Sequence, residues 1–330
     1  MKIVVLERNS VGPDIPLDYS ELGEVTYYEN TVTVDEVRER TKDADVVVAN
    51  KAPINEASLK DSPNVKMVTL FATGYDNIDL EYCNKRGIWA ENIVDYSTSA
   101  VSQHSFAMAL YLLEKLPHYD QYVKGGTYEN QSRFSNFDVP FYELDGKTWG
   151  IIGMGNIGRQ VAKVAEAFGC KVIFYSVTGK SKVTDYEQVD FDTLLKESDI
   201  LSLHCPLSDL TENLIDYEAL KKMKKSSILI NVARGKVVNN TDLAKALNEG
   251  EIAAAGLDVL EKEPIEKTNP LDDIKDSGKL IITPHLAWAT VEARLRCIEE
   301  VRKNIAAFAK GEPRNVVNKV TEDSAAFFRK

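Results

Sequence analysis

Few folds accommodate an apolar strand that runs straight into three spaced glycines and then a helix. Residues Trp149 to Gly158 read Trp-Gly-Ile-Ile-Gly-Met-Gly-Asn-Ile-Gly, and Arg159 to Phe168 has a helical pattern. In a Gly-x-Gly-x-x-Gly turn of this kind Gly153 permits the tight reversal. Gly155 lets the backbone approach a pyrophosphate, and Gly158 lets helix and strand pack closely. The free N–H groups at the helix start then face the anion. Strand before and helix after are the context the motif requires. They predict a dinucleotide-binding α/β unit whose first strand lies at mid-chain.

With 330 residues the chain exceeds what one hydrophobic core usually covers, so two domains are expected. Strand candidates before the glycine turn are Ile3–Leu6, Val25–Tyr28, Val46–Ala49 and Val65–Phe71. Helix candidates are Val34–Lys42 and Asp79–Arg86, the second stopped by Gly87. A longer helix is predicted over Thr98–Lys115, with Pro117 beyond its end, buried between domains or subunits. Residues Gly125 to Asp138 read as an exposed arm. From Lys147 a second series offers six strands, Thr148–Ile152, Lys171–Tyr175, Ile200–Leu203, Ile228–Asn231, Ala253–Asp258 and Leu280–Thr283. A last helix over Thr290–Ala309 is long enough to return to the first domain. The expected class is α/β with two doubly wound parallel sheets. A Rossmann nucleotide domain (99–290) is inserted into a discontinuous flavodoxin-like substrate domain (1–98 plus 291–330).

The net charge of −11 argues against sequence-independent nucleic-acid binding and against an anionic membrane surface. No run is long enough to span a bilayer, and the Met1–Arg8 stretch reads as a strand, not a signal peptide. Cys83, Cys170, Cys205 and Cys297 are widely spaced, as expected of reduced thiols in a cytoplasmic protein. The four histidines show no metal-ligand spacing, so no metal is expected.

Ligands of open α/β sheets bind outside the carboxyl ends of the strands. The residues there are His204-Cys205-Pro206-Leu207, Asn231-Val232-Ala233-Arg234-Gly235, Asp258 with Glu263 soon after, and Pro284-His285-Leu286-Ala287-Trp288. An arginine, a carboxylate and a histidine thus share a rim with a cofactor turn. That set suits hydride transfer at a carbon next to a carboxylate. His285 would donate a proton to the carbonyl oxygen, or remove it in reverse. Glu263 would orient the imidazole, and Arg234 would hold the substrate carboxylate through its forked donors. Asp258 is placed to accept a hydrogen bond from a nicotinamide carboxamide. Cys205 reads as a packing residue and His104 as a core or interface residue.

In the order and spacing of several motifs the chain resembles the D-isomer-specific 2-hydroxyacid dehydrogenases over nearly its whole length. The matching pieces are Ala72-Thr73-Gly74-Tyr75-Asp76-Asn77-Ile78-Asp79, the glycine turn, Leu203 to Leu207, Asn231 to Gly235, Ala255-Gly256-Leu257-Asp258-Val259 and Thr283-Pro284-His285. The resemblance implies Arg234, Glu263 and His285 as the catalytic set, and substrate carboxylate binding by the backbone at Thr73 and Gly74. Lys51 and Trp288 are further substrate candidates, Lys51 being equally readable as a surface lysine. Candidate dinucleotide contacts are Val101, Gly153, Gly155, Asn156, Ile157, Gly158, Ser176, Lys180, Cys205, Pro206, Ala233, Asp258 and Ala287. A homodimer is implied, paired through the nucleotide domains and the long helix. Asn50-Lys51-Ala52-Pro53 and Ala72-Thr73-Gly74 look most like the glycerate dehydrogenase (hydroxypyruvate reductase) branch, hence a small 2-keto acid substrate.

One departure concerns the cofactor. Where NAD-binding members usually carry Asp at the end of the second strand, the strand Lys171–Tyr175 ends in Ser176, with Lys180 and Lys182 beyond. A carboxylate would repel a 2′-phosphate and serine does not, so NADP is expected to be accepted beside NAD. Two other functions stay open: reduction of bulkier or phosphorylated keto acids, and a nucleotide-sensing role like that of corepressors with this fold.

Overall fold

The computed structural model describes residues 1–319. It separates into two compact units, Met1–Ser97 with the segment that begins at Ala289, and Thr98–Trp288. The part of the expected substrate domain over 320–330 lies outside the described residues.

The first unit is built on five parallel strands, β1 (Lys2–Val5), β2 (Glu24–Tyr27), β3 (Val46–Ala49), β4 (Met67–Leu70) and β5 (Trp89–Glu91), in the order β2-β1-β3-β4-β5. This is the flavodoxin-like order. Val46-Val47-Val48-Ala49 and Met67-Val68-Thr69-Leu70 are wholly buried, as strands covered on both faces must be. Helices α1 (Val34–Arg40), α2 (Glu56–Leu59) and α3 (Leu80–Arg86) form the crossovers. A Thr33–Glu36 capping box starts α1, and Asp79 caps α3, which Gly87 ends at φ +63°. The C-terminal helix Val291–Ala309, capped by Thr290, packs on β4 and lays Phe308 edge-on against Trp89. Strand β5 and helix α2 were not expected from the sequence.

The second unit has seven parallel strands. They are β6 (Thr148–Ile152), β7 (Lys171–Tyr175), β8 (Glu187–Gln188), β9 (Ile200–Leu203), β10 (Ile228–Asn231), β11 (Ala254–Leu257) and β12 (Leu280–Ile282), in the order β12-β11-β10-β9-β6-β7-β8. The order reverses at β6, which carries the glycine turn at its carboxyl end, so the turn sits at the topological switch point. The additional strand β8 is two exposed residues paired with Ile173 and Phe174, too short to leave a pattern.

Helix α4 runs over Thr98–Leu113. It covers the sheet of its own unit, packing on β10, β11 and the helix Asn156–Ala167, with the Phe106 ring tilted against Trp149 at 4.4 Å between centroids. It ends before Lys115, which takes φ +55°, and a second helix α5 (Leu116–Lys124) begins there with Pro117 in its first turn, where proline costs no hydrogen bond.

Candidate active site

The glycine turn has the stereochemistry the motif demands. Gly153 takes φ +95°, and a Cβ on it would lie 2.7 Å from the Cys205 amide nitrogen. A Cβ on Gly158 would meet the Gly153 carbonyl oxygen at 2.2 Å, which is how helix α6 (Asn156–Ala167) lies against the turn. Around Gly155 the space is open. Gly155 is also the N-cap of α6, with no side-chain cap and no acid in the first turn. Free amides, a positive helix end and open space are what a pyrophosphate needs, so these residues fit a bound dinucleotide.

The other residues singled out for the dinucleotide lie on helices and strand-end loops of the same unit. Asn156 and Ile157 form the first turn of α6, and Val101 is buried in the first turn of α4. Cys205 is buried and burial pushes its thiol up to about 11, so it packs and is no nucleophile. Pro206 is exposed beside it. The preceding His204 bonds Ser202 through Nε2 at 3.0 Å, and burial lowers its pKa to about 3, which keeps it neutral. Ser176 follows β7 half-buried, and Lys180 is exposed beyond the turn that Gly179 closes onto the Ser176 carbonyl.

Strands β10, β11 and β12 are neighbours, and their carboxyl ends carry the three candidate catalytic residues. Buried Asn231 shapes the first loop: its Oδ1 accepts from the Ala233 amide at 3.0 Å and its Nδ2 donates to the Arg234 carbonyl at 2.9 Å. Arg234 is half-buried, with Nη1 on the Ala233 carbonyl at 2.8 Å. His285 follows β12 at φ +54°, a left-handed conformation uncommon outside glycine. Its Nδ1 lies 2.7 Å from Glu263 Oε2, and Glu263 Oε1 accepts from the Leu260 amide at 2.9 Å. With both carboxylate oxygens engaged, the ring is held in one orientation. The bond is assigned as Nδ1–H donating to Glu263, which leaves Nε2 for chemistry.

The unusual backbone of His285 is held by Asp258, which is 2% exposed. Asp258 Oδ1 accepts from the Thr283 hydroxyl at 2.6 Å and the Leu286 amide at 2.9 Å, and Oδ2 accepts from the Ala287 amide at 2.9 Å. Its carbonyl receives the His285 amide at 2.8 Å. His104 on α4 reaches the same network, with Nε2 3.0 Å from Thr283 Oγ1. Asp258 therefore bonds the loop at both carboxylate oxygens, a task its sequence position did not reveal. Neither His104 nor Asn231 was singled out for the site; their partners become visible only with the loops folded. Trp288 follows the loop, half-buried.

In the first unit, Lys51 is exposed on the loop after β3 and Thr73 is exposed on the loop after β4. The Thr73 hydroxyl donates to the Ile93 carbonyl at 2.8 Å, and its own carbonyl receives Asn92 Nδ2 at 2.7 Å. Among the described residues the Thr73 and Gly74 amides donate to no backbone carbonyl.

Residues 106–287 match the family model described as D-isomer specific 2-hydroxyacid dehydrogenase, NAD binding domain. The chain is 40% identical over 327 residues to a hydroxypyruvate reductase of Blautia hydrogenotrophica, covering 97% of this chain and 100% of that one. It is 38% identical over 321 residues to a glycerate dehydrogenase of Methylorubrum extorquens, covering 96% and 98%. A solved acyclic imino acid reductase in complex with NADPH and D-Arg superposes with a TM-score of 0.85 at 30% identity, covering 96% and 100%. The chain belongs to the D-isomer specific 2-hydroxyacid dehydrogenase family. It is an oxidoreductase acting on a CH–OH group with a nicotinamide dinucleotide.

Proposed function

We propose that the chain reduces a small 2-keto acid of the hydroxypyruvate or glyoxylate type to its D-2-hydroxy acid, and catalyses the reverse. The Glu263–His285 pair at 2.7 Å carries this reading. A dinucleotide held at the glycine turn would supply or take the hydride. His285 Nε2 delivers the proton to the carbonyl oxygen, and Glu263 stabilises the imidazolium before the transfer. Arg234 binds the substrate carboxylate and draws electron density toward the reacting oxygen. The loops bearing Lys51 and Thr73–Gly74 offer an ammonium and open amides to the same class of anion. Asp258 holds the loop of His285.

Ser176 and the exposed lysines that follow favour use of NADPH as well as NADH. Exposed Leu116, Val123, Phe134, Phe137, Phe141 and Tyr142 form apolar surface on α5 and the arm after it. We assign it to a homodimer contact, because monomers rarely leave such surface uncovered. The four cysteines are unpaired and buried, which favours a cytoplasmic location.

A panel of 2-keto acids crossed with NADH and NADPH tests the activity. His285→Ala is expected to lower kcat roughly a hundredfold, as loss of a general acid does, while nucleotide fluorescence still reports binding. Full activity in that variant, or no oxidation of either cofactor with any keto acid, would overturn the reading. Light scattering of the purified protein tests the dimer.

A further inference from the structure

Glu7 follows β1, lies in no recognisable motif, and is only 8% exposed. Its carboxylate collects three consecutive backbone amides from a loop more than forty positions away. Glu7 Oε2 accepts from Asn50 at 2.6 Å, from Lys51 at 2.9 Å and from Ala52 at 2.9 Å, and Oε1 accepts from Lys51 at 3.0 Å. Successive N–H groups converging on one point form a nest that ordinarily captures an external anion. Here the chain fills it with its own carboxylate.

The far side of this loop is tied to the next one. Asn77 Nδ2 donates to the Ala52 carbonyl at 2.8 Å, the Ile54 amide donates to the Asn77 carbonyl at 2.9 Å, and the Asp79 amide donates to the Ile54 carbonyl at 2.7 Å. The loops after β3 and β4 therefore form one hydrogen-bonded rim, and Glu7 grips its β3 side. We propose that Glu7 is a positioning residue for substrate binding, fixing the Asn50–Ala52 turn so that the rim presents the Lys51 side chain, and not its amide, to the substrate carboxylate. The proposal rests on the reading that this rim receives that carboxylate.

The physical reason is that three amides crowded in one turn repel one another unless an acceptor joins them. Charge-assisted bonds to a carboxylate are the strong kind. Gln at position 7 keeps the length but turns an NH2 toward donors, so the turn should open. Alanine would leave the nest empty, and a small free carboxylate such as formate could enter it.

The test is steady-state kinetics of the full enzyme with hydroxypyruvate and NADH or NADPH. Glu7→Gln is expected to raise KM for the keto acid about tenfold, on the scale of one lost charge-assisted hydrogen bond. Both kcat and the KM for the dinucleotide should stay within about twofold, on the scale of effects outside the chemical step. Glu7→Ala should show the same split, and formate should restore its KM. Glu7→Asp, if Glu7→Ala fails to fold, should give an intermediate KM. A Lys51→Ala variant separates the two levels. If Lys51→Ala raises KM while Glu7→Gln does not, the positioning role is overturned and the rim stands. If Lys51→Ala leaves KM unchanged, the reading of the rim falls and the proposal with it. Equal losses in kcat, keto-acid KM and dinucleotide KM in the Glu7 variants would show general damage and also overturn it.

Discussion

Glu91 ends β5 with no exposed surface, and neither carboxylate oxygen has a hydrogen-bond partner. It lies in register with Thr69 of β4, under the C-terminal helix, where Asn304 Nδ2 reaches Thr69 Oγ1 at 3.1 Å. Arg314 is the nearby cation, but its guanidinium is bonded to Glu300 and to Asn304. Burial pushes the Glu91 carboxyl up to about 9, with Arg314 opposing the shift. The sign then follows. Between the unfolded value of 4.5 and about 9, the native state holds one proton more than the unfolded chain. Stability fully present below 4.5 is lost as pH rises toward 9, at about 1.4 kcal/mol per pH unit while the linkage is complete. Between pH 6 and 8 that bounds the loss at about 3 kcal/mol, with some 2 kcal/mol expected once the native state relaxes around the charge. Glu91→Gln keeps the shape and cannot ionise, so its stability relative to the parent should rise by that amount over the interval. Hydrogen exchange of the β4 and β5 amides at the two pH values reads the effect locally, which matters because two units need not unfold together. Parallel pH profiles for parent and variant would refute the reasoning.

Two further perturbations address the site. Ser176→Asp places a carboxylate where a 2′-phosphate would lie; two negative charges against one at about 5 Å in a mostly aqueous setting cost about 2 kcal/mol. The ratio of kcat/KM for NADPH to that for NADH should fall about thirtyfold, and an unchanged ratio would remove Ser176 from cofactor selection. Asp258→Asn should lower kcat about tenfold or more, because the loop holding His285 at φ +54° loses its anionic anchor. Dinucleotide binding measured by fluorescence should survive in that variant, and an unaltered kcat would refute the anchoring role.

What the sequence revealed follows from how local each signal is. The glycine turn, the apolar runs of β3, β6, β9 and β10 and the Gly87 stop of α3 depend on neighbours within a few residues. Each could be read before folding. Arg234 and His285 drew attention because each follows closely on a strand end, whereas Glu263 lies further past β11 and its bond to His285 is visible only in the structure. Strand β5 was missed because Trp-Ala-Glu shows no alternation and its glutamate is buried, which a strand rule does not anticipate. Helix α2 is four residues long and owes its start to the Asn55–Ser58 box, and β8 is two exposed residues. The buried polar holders were invisible for another reason. Glu7 meets amides at positions 50–52, Asp258 meets Thr283 to Ala287, and Asn304 meets Thr69 and Asn92. Partners so far apart leave no spacing to read.

Those holders divide the strand-end loops into two kinds. After β3 and β12 the amides are gathered by the chain's own carboxylates, Glu7 and Asp258, and the loops project a charged or titratable side chain, Lys51 or His285. After β6 and β4 the amides at Gly155 and at Thr73–Gly74 donate to no backbone carbonyl among the described residues. A loop of the first kind is rigid because its donors are satisfied, and its job is to aim one side chain. A loop of the second kind keeps its donors for an anion that arrives from solution. Removing an internal carboxylate should therefore degrade aim, seen in substrate KM or kcat. Adding a carboxylate near an open loop should degrade binding of the phosphate or carboxylate it was left to receive. The Glu7 and Asp258 variants are two instances of the first half of that rule, and a loss of dinucleotide binding instead of aim in either would break it.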